Sequence, residues 1–134
     1  MRRSIYLTND LSHTVSLLHC PLCGGYNLHQ RNVAVYTGLC PDYNHALEQE
    51  IIVFENGTVE TTFVKREYLR NPSSRRDGIR ISMMCEHCSE DPANPEGAVP
   101  DLIIYQHKGS THIEWDSNNL IPNDSFCLEA KDGL

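Results

Sequence analysis

Two cysteine pairs with the same spacing set the terms on which this chain can fold. They are Cys20-Pro21-Leu22-Cys23-Gly24-Gly25 and Cys85-Glu86-His87-Cys88, both C-x-x-C. One such turn brings two thiolates to a single ion without strain, and two turns supply the four soft ligands that zinc takes in a tetrahedron. Gly24 and Gly25 suit a sharp backbone fold whose amides approach the sulfurs, and Pro21 stiffens it. Residues 24–84 separate the pairs. That is long for a compact finger but natural where a β insertion fills the gap, as in zinc ribbons.

The expected ligands are therefore Cys20, Cys23, Cys85 and Cys88, and the expected cofactor is one structural Zn2+. Four thiolates close the coordination sphere and leave no open position for an activated water. His19 precedes the first pair and His87 lies inside the second, so each is a candidate to replace a cysteine or to hydrogen-bond to a thiolate. The competing interpretation is free or redox thiols. A thioredoxin-like dithiol expects one C-x-x-C opening a helix in a βαβ pattern, whereas both pairs here follow apparent strands. Cys40 and Cys127 stand alone, in contexts that give no sign of activation.

At 134 residues the chain is about one ordinary domain. Its longest apolar runs are four residues, against the roughly 20 needed to cross a bilayer, and its start lacks the features of a secretory leader. A soluble, cytoplasmic protein with no membrane partner is expected, in a compartment that keeps thiols reduced. With 18 acidic and 11 basic side chains the formal charge is -7, which argues against coating duplex DNA by overall charge.

The pattern of apolar residues predicts a mainly β fold, a zinc ribbon elaborated by antiparallel hairpins with little helix. Three regions are expected: a flexible arm over 1–12, a single zinc-ribbon domain over 13–116, and an acidic tail over 117–134. Short apolar stretches at 15–18 and 79–84 each run into a cysteine pair and read as strands. Residues 32–36 alternate, with Val33 and Val35 on one face. Residues 46–49 allow one helical turn, and 50–55 carry Ile51, Ile52, Val53 and Phe54, the pattern of a buried strand. Asn56-Gly57 then predicts a hairpin, because both residues tolerate positive φ. A second hairpin is expected over 101–107 and 111–115, with Ile103, Tyr105, Ile113 and Trp115 packing on one side. Residues 70–78 and 89–100, rich in Pro, Ser and Gly, read as exposed or irregular loops. The tail has Leu120, Ile121 and Phe126 with which to dock.

Tests for catalysis return little. His112-Ile113-Glu114 matches the H-x-E of zinc deaminases, but those enzymes need P-C-x-x-C downstream and both pairs here lie upstream. There is no G-x-S-x-G and no phosphate-binding glycine loop. A small metal-dependent hydrolase is the remaining enzymatic alternative. His107 and His112 flank the second hairpin turn and read as a surface pair. The charge is unevenly spread: Lys65, Arg66, Arg70, Arg75, Arg76 and Arg80 face only Glu67 and Asp77 within 65–80, a local +4. Such a stretch suits phosphates or an acidic partner, with Arg75 and Arg76 at the loop tip. Tyr68 is the sole nearby aromatic for base stacking.

The segments CPLCGGYNLHQ, NPSSRRDGIRISMMCEHC and HKGSTHIEW together resemble a family of small uncharacterised zinc-ribbon proteins of bacteria and their phages. These carry a CPxCG knuckle with a nearby Leu-His, a later C-x-x-C and an HKG-x-T-x-x-x-W-like ending. The resemblance covers roughly residues 18–116. It implies a ribbon fold, the same four cysteine ligands and a mobile-element origin, with His29 and His107-Lys108-Gly109 as recurring positions. The 89–100 insertion and the acidic tail depart from the pattern. The expected role is a non-catalytic binding module docking a macromolecule, protein before nucleic acid, as an inhibitor or regulator of a host factor. The alternative is a nucleic-acid-binding ribbon using the Arg70 to Arg80 loop.

Overall fold

The computed structural model describes residues 2–12, 14–38, 47–65, 70–73 and 77–116. They form nine antiparallel strands: β1 (Arg2–Arg3), β2 (Leu7–Asn9), β3 (Ser16–Leu18), β4 (Leu28–Gly38), β5 (Leu47–Val53), β6 (Val59–Lys65), β7 (Gly78–Cys85), β8 (Asp101–His107) and β9 (Ser110–Asp116). One sheet runs β1-β9-β8-β7-β4-β5-β6, and β2 pairs with β3 in a small second sheet. The mainly β expectation therefore holds, and the helical content of the described residues is one short 3-10 turn, Cys88–Glu90. The helical turn considered at 46–49 is replaced by strand from Leu47 onward, because Ile51, Ile52 and Val53 pair better in a sheet than in an isolated turn.

Both predicted hairpins are present, and their turns differ in chemistry. Between β8 and β9, Lys108 and Gly109 take φ of 50° and 82°, the two-residue turn whose twist matches the strands. Between β5 and β6 only Gly57 is left-handed, at φ 91°. Asn56 contributes through its side chain instead, Oδ1 accepting from the Thr58 amide at 2.9 Å. Residues 2–12, expected as an arm, carry two short strands, β1 against β9 and β2 against β3. The tail at 117–134 and its docking residues lie outside the described residues.

The sheet is covered on both faces, in different places. Ile81, Leu102 and Trp115 are register neighbours on one face and join Cys20, Met83, Cys85 and Val99 in a core beside the cysteine turns. Ala34, Tyr36, Ile52 and Phe54 form a second cluster, on the opposite face by the pairing of Ala34 with both Ile52 and Arg80. Val33 and Val35 share one face as expected, and the alternate residues Ala34 and Tyr36 are the buried ones. The register corrects one expectation. Ile103 lies opposite Glu114 and Trp115 opposite Leu102, so the four residues expected on one side are divided between two. Ile113 is half exposed.

Residues 70–73 of the expected loop are the larger correction. Arg70 and Ser73 are 7% and 2% exposed, and Ser73 Oγ donates to the Gln106 carbonyl at 2.8 Å. The strap lies against the sheet because its polar groups find partners there, so a lack of apolar side chains does not place a segment in solvent.

Candidate metal centre

Strand β3 delivers the chain to Cys20, and the following residues turn tightly. The Gly24 amide donates to the Cys20 carbonyl at 3.0 Å and the Cys20 amide to the Gly25 carbonyl at 2.6 Å. With Gly24 at φ 80°, the amides of Leu22 and Gly25 aim at sulfur, 3.4 Å from Cys20 Sγ and 3.3 Å from Cys23 Sγ. Strand β7 ends at Cys85, pairs there with Leu28 of β4, and runs into the 3-10 turn that carries Cys88. The Cys88 amide donates to Cys85 Sγ at 3.4 Å. The turns are tied together by the Glu86 amide on the Asn27 carbonyl at 3.1 Å and from behind by the Cys85 amide on the Gly97 carbonyl at 2.9 Å.

Topology thus brings four sulfurs that are distant in sequence to one point. Cys20 Sγ lies 3.7 Å from Cys88 Sγ and Cys23 Sγ 3.6 Å from Cys85 Sγ. All four fall within 4.8 Å of one another. A zinc tetrahedron with bonds of about 2.3 Å has sulfur–sulfur edges of about 3.8 Å, so the group fits an ion at its centre. Cys20 and Cys85 are buried, Cys88 half-buried and Cys23 exposed. Burial pushes the Cys20 thiol above its ordinary value, against the amides of Cys23 and Leu22. Burial and the neighbouring sulfurs push Cys88 up as well. The Cys20 and Cys88 thiols thus resist ionising, and a dication at the centre of the four sulfurs would remove that resistance.

The histidines serve the frame of the site. His19 packs at a tilt against Tyr6 with ring centroids 4.6 Å apart, and its Nδ1 lies 2.6 Å from the Gly24 carbonyl and its Nε2 2.7 Å from Thr8 Oγ1. It braces the first turn to β2. His87 is exposed, with Nδ1 3.8 Å from Glu90 Oε2. His29 reaches across to the second turn, Nε2 3.2 Å from Glu86 Oε2. The group of potential ligands consists of the four cysteines, without either flanking histidine.

His107 and His112 meet edge to face at 5.5 Å on the second hairpin, the surface pair expected there. Glu114 of the H-x-E accepts from the Tyr105 hydroxyl at 2.8 Å, and His112 stacks on the same ring.

The basic stretch is placed very differently from its sequence appearance. Arg70 Nη2 donates to Glu50 Oε1 at 2.7 Å. Arg80 donates to Asp101 Oδ2 at 3.2 Å, to Asp116 Oδ2 at 2.7 Å and, through Nε, to the Arg70 carbonyl. Both guanidiniums are buried, which withdraws them from any phosphate. Lys65 belongs to β6; its side chain, and Arg66, Arg75 and Arg76, lie outside the described residues. Sequence reasoning missed the carboxylates of this network. The signal available was Glu50 opening the apolar run 51–54, where an acid on a buried strand requires a cation.

Comparison with protein-family models, with curated proteins and with solved structures finds no match. No helix among the described residues is long and apolar enough to cross a membrane.

Proposed function

We propose that this chain is a non-catalytic binding module whose β fold is stapled by one structural zinc ion on Cys20, Cys23, Cys85 and Cys88. The observation that carries the reading is the sulfur geometry, with cross-turn separations of 3.7 Å and 3.6 Å. Protein sulfur fills all four positions, so the ion would hold two turns together and leave no site for water or substrate. Binding releases energy only in the folded chain, where the four sulfurs converge, and so becomes folding energy.

A protein partner suits the surface better than nucleic acid. Val53, Val59 and Phe63 are 41%, 56% and 45% exposed and share one face at the β5–β6 end of the sheet. Arg70 and Arg80, meanwhile, are spent on internal carboxylates. A phage or mobile-element inhibitor or regulator of a host factor is the version the sequence resemblance suggests, acting in the reducing cytoplasm.

The test begins with metal content, where one zinc per chain is expected and bound iron would reassign the ion. Zinc-loaded protein should then capture a stoichiometric protein from lysate of the source organism, and Val59→Lys with Phe63→Lys should abolish capture without unfolding the chain. Undiminished capture by that variant, or binding to nucleic acid that falls steeply with salt, would overturn the protein-binding reading.

A further inference from the structure

The two cysteine turns are not equivalent. In the first, glycine follows the second cysteine, and Gly24 at φ 80° swings the Gly25 amide onto Cys23 Sγ. In the second, Ser89 stands in the corresponding place and the chain enters a 3-10 turn. The Glu90 amide is therefore taken by the His87 carbonyl at 3.2 Å and the Asp91 amide by the Cys88 carbonyl at 3.2 Å. Cys20, Cys23 and Cys85 each receive a backbone amide on sulfur, whereas among the described residues no amide reaches Cys88 Sγ. An N–H on a thiolate draws off charge and lowers its nucleophilicity; a sulfur without one keeps that charge. Cys88 is also half-buried, and so within reach of a small reagent.

Resting on the zinc reading above, we propose that Cys88 is the site at which the centre is chemically modified, and that a peroxide opens it there by forming a Cys88–Cys20 disulfide. The Cys88 thiolate attacks one peroxide oxygen; an S–O bond forms, the O–O bond breaks and hydroxide leaves, giving the sulfenic acid. The Cys20 thiolate, 3.7 Å away in the reduced centre, then attacks the Cys88 sulfur. An S–S bond forms, the S–O bond breaks and a second hydroxide departs. Two thiolates are oxidised by two electrons in total, and the peroxide is reduced by two. The ion loses two of its four ligands and is released. The bond joins the two turns, so the oxidised chain keeps a covalent staple where the metal was.

The experiment starts from protein shown to contain one zinc per chain, which separates its outcome from that of the zinc reading; a chain without metal would overturn both. Limiting hydrogen peroxide is added in the presence of a chromogenic zinc indicator, and the products are mapped by peptide mass spectrometry. Zinc release should coincide with a Cys20–Cys88 cross-link. In parallel, limiting N-ethylmaleimide should label Cys88 about fivefold faster than the more exposed Cys23. Cys88→His, which keeps four ligands, should slow peroxide-driven release about fivefold, while Cys23→His should not. A first disulfide within either turn, or preferential labelling of Cys23, would overturn the assignment, and both readouts use the unmodified sequence in case a variant does not fold.

Discussion

Tyr36 on β4 and Glu50 on β5 lie opposite one another, and the tyrosine hydroxyl donates to Glu50 Oε2 at 2.7 Å with both side chains buried. Arg70 takes the other carboxylate oxygen at 2.7 Å. The pair therefore anchors the 70–73 strap to the sheet that carries the cysteine turns. Tyr36→Phe removes one buried hydrogen bond and should cost about 1–2 kcal/mol. Arg70→Met removes the cation beside the buried Glu50 carboxyl and should cost about 3–5 kcal/mol. Urea denaturation of the zinc-loaded variants measures both, and equal losses would contradict this hierarchy.

The same pair sets an alkaline limit. Burial first, and then the Glu50 carboxylate, push the Tyr36 phenol well above its ordinary 10.0. Above about pH 10 the unfolded chain releases that proton and the folded one holds it, so the unfolded state gains. Stability from this group should be flat below pH 10 and then fall by about 1.4 kcal/mol per pH unit. In Tyr36→Phe that component of the slope should vanish; an unchanged alkaline slope would refute the linkage.

Arg80 holds two carboxylates that face each other across β8 and β9, Asp101 and Asp116. Its planar fork spans both and still reaches the Arg70 carbonyl. Arg80→Met removes the guanidinium that two buried acids share and should destabilise the fold by about 3–5 kcal/mol. Arg80→Lys should recover part of that loss, since an ammonium restores charge without the fork. Full recovery by lysine would show that geometry contributes nothing here.

Gly97 lies directly behind a metal-ligating candidate. At φ 65°, a Cβ there would collide with the Cys85 carbonyl oxygen and come within 3.2 Å of the Cys85 N and C atoms. Gly97→Ala should therefore displace Cys85 and weaken zinc binding about 10–100-fold in a competitive chelator titration. Gly57→Ala is the control. It has the same kind of φ, 91°, but open space around it, so it should cost about 1–2 kcal/mol of stability and leave metal affinity intact.

What the sequence disclosed and what it hid divide along the range of the interactions involved. The cysteine turns and the Gly109 hairpin are local devices, decided by a few adjacent residues, and the fold contains them where expected. Which face of β4 is buried is not local. Val33 and Val35 are the more hydrophobic alternating set, yet Ala34 and Tyr36 go inside because β5 and β7 present Ile52, Glu50 and Arg80 to that face. Arg70 and Arg80 looked like solvent-facing charge because their partners, Glu50, Asp101 and Asp116, lie 20 to 36 residues away in sequence. Only strand order brings those charges together. The glycine after Cys23 and the serine after Cys88 were visible from the outset, but their consequence for the sulfurs required the path of the 3-10 turn.

The most direct measurement is metal content by elemental analysis of the purified chain, coupled to its unfolding before and after chelation. One zinc per molecule is predicted, with chelation abolishing the cooperative transition that zinc restores. A chain purified without metal and unfolding identically with and without chelator would contradict the assignment of these four cysteines to a structural ion.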